Sequence, residues 1–286
     1  MKTEHIETID EVVKLINKYS QISGLIFRGQ STGSWMLKQS IFRCNEKYVA
    51  VADHLEKFKK YSIGRIDDIE KYSNKELWAI GQHFGLKTPL LDWSISAAIA
   101  LYFAFEQNAE NGEEYASLYS LNAKEVNREY CRRIYSKYQI ATHNLIPGLS
   151  NLSNESTGKI LIENFETNPD SDEHSVESDV ESSLFRIFSP KRFNNPRIVA
   201  QRGLFTFSQS GKPIEEILQL NGMTDLIEKN LINTKLKPDI VKYLDIHNIN
   251  QMSLYPDITG AALYANTKIY RYDSEAAKEH KTDFWL

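Results

Sequence analysis

Four short segments of this 286-residue chain hold residue types from which a polar site could be built. Arg28 stands beside Gly29 and Gln30 at the end of the apolar run Gly24–Gly29, which has the composition of a buried strand. His83 closes a helical stretch that stops at Gly85, and its ordinary pKa suits a general base. Asp92-Trp93-Ser94 ends a second apolar run and leads into a helix, whose N-terminal N–H groups would face an anion. Gln201 precedes Arg202 and Gly203 in the β-rich stretch 198–207. Each has a plain structural alternative. Arg28 and Asp92 could form a buried ion pair joining two strands, the tryptophans could be core, and His83 could cap its helix.

The elements that must hold these residues follow from periodicity and caps. Thr8 and Glu11 have capping-box spacing and open an amphipathic helix, so 1–23 is expected to be an N-terminal helix. Tyr48, Val51, Ala52, Leu55 and Phe58 form a second apolar stripe, and a third helix runs from Asn74, as N-cap, to about Phe84. Thr88–Ser94 is expected to be a strand, with Ser94 capping a buried helix from Ile95 to Gln107. Tyr115–Leu121 is another strand, followed by a helix that starts at Asn122. Pro213, Pro238 and Pro256 each open a short helix. Strands scattered among longer helices predict an α+β fold, a single domain with a central mixed or antiparallel sheet surrounded by helices. That domain is expected to span 24–272, with 273–286 as a tail. The acid-rich, aperiodic stretch 166–183 is expected to be a mobile loop, followed at once by the basic residues Arg186, Lys191, Arg192, Arg197 and Arg202.

Composition narrows the function classes. With 34 Lys+Arg against 38 Asp+Glu the net charge is −4, which excludes coating nucleic acid by bulk charge. Cys44 and Cys131 stand far apart without a CxxC pair, and no histidine spacing suits a metal, so no metal site is expected. The longest apolar run, 97–105, is far shorter than the roughly 20 residues that cross a bilayer. No signal-peptide pattern is present, and a cytoplasmic location with no membrane partner is expected. GxSxG, Walker and GxGxxG motifs are absent.

Taken in order, Phe27-Arg28-Gly29-Gln30, Trp35, Arg43, Gln82–Leu86, Leu90–Ser94, Ala100–Ala104, Arg197–Phe205 and Leu254–Gly260 resemble the FRG domain. The chain departs from the family pattern at Lys87, Pro89 and Ala97, where a proline, an arginine and a proline are usual. The resemblance implies a bacterial or phage-encoded protein, with toxin or anti-phage defence roles among its kin. The first motif in turn resembles that of ADP-ribosyltransferases, which implies NAD as ligand and an ADP-ribosyltransferase-like sheet. On that likeness Arg28 grips a phosphate, with Gly29 allowing close backbone approach and Gln30 and Asp92 beside it. Trp93 and Tyr102 would pack the nicotinamide or adenine ring, and Ser94 would hold the nicotinamide ribose. Gln201 would occupy the place of the usual late-strand glutamate, binding without a charge. The implied catalytic set is Arg28, Ser94, Gln201 and His83, and the implied partners are a nucleotide and a protein or nucleic-acid acceptor. The alternative is a sensor or interaction module in which Arg28 and Asp92 are structural.

Overall fold

The computed structural model describes residues 1–43, 50–107, 113–142, 174–190 and 195–267. Seven strands form one mixed sheet: β1 (Lys2–Ile6), β2 (Leu25–Gln30), β3 (Leu90–Ser94), β4 (Tyr115–Asn122), β5 (Arg186–Phe188), β6 (Gly203–Phe207) and β7 (Ile227–Asn233). Their order is β1-β7-β4-β2-β3-β6-β5, with β1 parallel to β7 and every other neighbour antiparallel. Around it pack α1 (Ile9–Ser20), α2 (Val51–Ser62), α3 (Asn74–His83), α4 (Ala97–Glu106), α5 (Ala123–Thr142), α6 (His174–Ser183), α7 (Pro196–Ala200), α8 (Ile214–Leu220), α9 (Lys237–Ile246), α10 (Gln251–Leu254) and α11 (Ile258–Thr267). The α+β reading with a mixed sheet ringed by helices holds.

Side-chain alternation along the strands divides the core. Ile26, Leu91, Trp93, Tyr119 and Leu121 share one cluster with α5, α6 and α8. On the opposite face lie two separate clusters. Phe27, Ala116, Leu118 and Ile232 meet α1, α4 and α9, whereas Leu90, Phe205 and Phe207 meet α2 and α3. The boundary between these two clusters falls over the β2–β3 junction.

Several local expectations need correction. Residues 1–23 are a strand followed by a helix; β1 has only five residues, and its lack of apolar alternation hid it. The Thr8–Glu11 capping box is present, with Glu11 N–H donating to Thr8 Oγ1 at 3.3 Å and Thr8 N–H to the Glu11 carboxylate at 2.9 Å. Ser73, not Asn74, caps α3, through a capping box with Glu76. Ser96, not Ser94, caps α4, because Ser94 is still extended within β3. In the 166–183 stretch, 174–183 is helical, with Val180 and Glu181 buried, so this part is not a loop; 166–173 and 268–286 lie outside the described residues. Glu181 is anchored there by Lys75 Nζ at 3.0 Å and by Tyr130 and Gln209. Stretch 198–207 is a strand only from Gly203, since Pro196 starts a helix and Asn195 caps it. Of the basic residues, Arg186 is buried and Arg197 is ion-paired, so these two do not form a solvated patch. Among the described residues no helix is long and apolar enough to cross a membrane.

Candidate functional site

The β2–β3 ladder is short. β2 is registered with β4 at six positions but with β3 only at Phe27 opposite Ser94. Where the two strands part, the Arg28 side chain fills the gap, and its Nη1 donates to the Asp92 backbone carbonyl at 2.6 Å. Nη1 also stands 3.6 Å from Asp92 Oδ2. The pair does join the two strands, yet it is not a buried pair. Arg28 is 17% exposed while the Asp92 side chain is 61% exposed. Burial pushes the Arg28 pKa down and Asp92 opposes that shift; an arginine keeps its charge regardless. The Arg28 Nε is buried with no hydrogen-bond partner.

A cavity of about 350 Å³ opens over this junction, at the lower end of the range for small-ligand sites. Its walls come from the split strands and from the ends of the helices that flank it. Arg28, Gly29, Asp92 and Ser94 line it from the sheet, and Ala79, Gln82 and His83 from the last turn of α3. Phe103, Arg197, Gln201 and Tyr255 close the far side. The sheet, α3 and the end of α7 thus bring Arg28, Gly29, His83, Asp92, Ser94 and Gln201 to the wall of one cavity.

Their individual chemistry differs from expectation. Gly29 is required by the fold itself: a Cβ there would lie 1.9 Å from the Ala100 carbonyl oxygen and 2.7 Å from the Ala104 nitrogen. The close approach is between β2 and α4, so the glycine serves helix packing before any ligand. The Ser94 hydroxyl donates to the Gln201 carbonyl at 2.8 Å and accepts from Ser96 N–H at 3.1 Å. It pins the loop before β6 and has no spare proton. Gln201 sits at the C-terminal cap of α7 rather than on a strand, and its amide donates to the Leu254 carbonyl at 3.2 Å.

Trp93 alternates to the other sheet face, is 3% exposed, and donates from Nε1 to Thr206 Oγ1 at 3.1 Å. Trp93 borders the cavity, but with so little exposed its ring packs in the core rather than offering a stacking face. Replacing it by phenylalanine is expected to cost about 1–3 kcal/mol, because Thr206 Oγ1 loses a buried partner, and to change ligand affinity little, because an apolar ring still backs the cavity wall. Urea unfolding and a binding titration check the two halves. Tyr102 is also buried; its hydroxyl donates to Glu106 Oε1 at 3.2 Å, so Phe103, not Tyr102, faces the cavity. Gln30 is buried with Oε1 unpartnered and does not line the cavity. Among the described residues no group of three His, Cys, Asp or Glu could hold a metal.

Three contributors lie in the motif segments, yet sequence alone assigns them no site role. Gln82 donates from Nε2 to Asp92 Oδ1 at 2.6 Å, and its own Oε1 accepts from the Thr88 hydroxyl. Its signal was available, since Ala79, Gln82 and His83 fall at i, i+3 and i+4 on one helix face. Arg197 donates from Nε and Nη2 to Asp257 Oδ2 at 2.9 and 2.6 Å, and lies 5.3 Å over the Tyr255 ring. Tyr255 donates to Glu106 Oε1 at 2.6 Å, tying the residue after α10 to α4. These long-range contacts carry no local pattern.

His83 takes its properties from this wall. Burial and Arg197 hold its pKa below the ordinary histidine range, and Asp257 opposes them. Asp257 is itself held low by the Arg197 hydrogen bond and stays ionised. His83 is therefore neutral at pH 7 and gains charge only below about 6.5. Affinity for an anionic ligand is expected to rise as pH falls through that region, and His83→Gln to flatten the rise, measured by calorimetric titration between pH 5 and 8. Folding stability moves the opposite way. The unfolded chain takes up this proton first, so stability falls as pH drops from about 6.5 through the lower folded value.

Residues 23–113 match the model of the FRG domain. No curated protein matches the chain, and no solved structure does. The matched span contains β2, α2, α3, β3 and α4, and with them Arg28, Gln82, His83, Asp92 and Ser94.

Proposed function

We propose, from the FRG domain carried within residues 23–113, that this cavity is a nucleotide site and that its ligand is NAD, consumed by cleavage of the nicotinamide–ribose bond. The observation that carries the reading is the placement of Arg28 and Arg197 on the wall of one cavity with aromatic rings beside them. A phosphate is matched by guanidinium groups, and a flat ring by Phe103 and Tyr255. A cavity of about 350 Å³ suits the nicotinamide mononucleotide half, leaving the adenosine half toward solvent. In this reading Arg28 binds a phosphate oxygen with N–H groups not given to Asp92. Transfer of the ADP-ribosyl group to a protein or nucleic acid, or to water, then depends on what reaches the ribose. A toxin or defence role would follow from NAD loss in the cell. The test is incubation with NAD while nicotinamide release and binding are followed. Release is expected, and no binding at millimolar NAD overturns the proposal.

One observation favours the second reading, a module that binds without turnover. The Ser94 hydroxyl and the Gln201 amide are both committed to internal hydrogen bonds. Saturable NAD binding with no nicotinamide release, in the presence of candidate acceptors, would support the module.

A further inference from the structure

We infer that Asp92 is the catalytic carboxylate of this site, in place of Gln201 at the end of α7; the inference rests on the NAD reading above. A glycosidic bond to a pyridinium breaks through a cation-like ribose, so the site needs a fixed negative charge near C1′. Among the cavity-lining residues, Asp92 presents a carboxylate that is mostly exposed and yet held by its neighbours. Oδ1 is clamped by Gln82 Nε2 at 2.6 Å, and Gln82 is oriented in turn by the Thr88 hydroxyl. Arg28 Nη1 holds the Asp92 backbone at 2.6 Å and stands 3.6 Å from Oδ2. The carboxylate is thus fixed through its backbone and through one oxygen, leaving the other side open to a ligand.

Charge complementarity points the same way. The nicotinamide mononucleotide unit carries a phosphate anion, and its ribose gains positive charge only as the glycosidic bond breaks; the cavity offers guanidinium groups for the first and the Asp92 carboxylate for the second. Gln201 offers no charge, and its amide is engaged by the Leu254 carbonyl. In the step, the bond between C1′ and the pyridinium nitrogen breaks, and its electron pair leaves with neutral nicotinamide. A water oxygen bonds to C1′, and the proton that water loses goes to solvent. Asp92 steadies the positive charge on the ribose during the exchange, and Gln82 is a positioning residue.

The experiment is Asp92→Asn in the full chain, with NAD affinity and nicotinamide release measured separately. Affinity within about 3-fold of wild type and release reduced at least about 100-fold are expected, because the interaction is made mainly in the transition state. Unchanged release in folded Asp92→Asn overturns the assignment and leaves the NAD reading standing. Wild type that neither binds NAD nor releases nicotinamide overturns both. Gln82→Ala keeps the carboxylate but frees it, and serves where Asp92→Asn does not fold. It is expected to lower kcat about 10-fold with KM little changed; an unaltered kcat counts against a clamped carboxylate.

Discussion

Gly29→Ala is expected to destabilise the protein by about 3 kcal/mol or more, at the upper end for overpacking. The added methyl would sit 1.9 Å from the Ala100 carbonyl oxygen and 2.7 Å from the Ala104 nitrogen. Both obstacles are backbone atoms of α4, so no side-chain rotation relieves them, and the helix must lift from β2. That helix is nearly all buried, from Ala97 through Phe105, and lifting it opens the cluster it shares with α1 and α9. Gly203→Ala is the matched control. Its nearest contacts lie at 3.4 Å, an ordinary packing distance, so a loss within about 1 kcal/mol is expected. Urea denaturation of the two variants separates a tight motif glycine from a tolerant one.

Arg28→Ala is expected to weaken NAD binding by roughly 100-fold or more, the loss of two charge-assisted hydrogen bonds at about 1.5–3 kcal/mol each. It is also expected to cost about 1–3 kcal/mol of stability, since the Asp92 carbonyl loses its partner where β2 and β3 separate. The stability cost stays below that of breaking a fully buried ion pair because the Asp92 carboxylate is solvated. Binding is therefore to be measured well below the unfolding temperature of the variant. A folded Arg28→Ala protein with wild-type affinity would restrict Arg28 to joining the strands. Arg28→Lys is expected to recover little, because an ammonium cannot reach the carbonyl and a ligand oxygen together.

Much of this architecture was written in local pattern. The Thr8–Glu11 box, the apolar run of β2 and the buried character of α4 each follow from neighbours within four residues. The motif segments also hold Arg28, His83, Asp92, Ser94 and Gln201, all of which line the cavity. What stayed hidden depends on partners distant in sequence. Strand β1 is short and mostly polar, and is a strand because it lies along β7, with Lys2 opposite Glu228. Trp93 and Asp92 both border the cavity, yet only the packed sheet shows that the first is buried and the second exposed. The Ser94 hydroxyl and the Gln201 amide look available until their bonds to the Gln201 and Leu254 carbonyls are seen. Tertiary context, not a misjudged propensity, separates those outcomes.

The strand order bears on how the chain can be cut. The span that defines the FRG match, 23–113, contains β2 and β3 but not β4 or β6, the strands beside them. Expressed alone, it would present both outer edges of a two-stranded ribbon joined at one register pair, with unpaired backbone groups free to associate. The matched span is thus smaller than the sheet that pairs its strands. Truncations meant to isolate the cavity should retain everything through α11, because β4 borrows its second neighbour from β7 and Tyr255, after α10, lines the cavity.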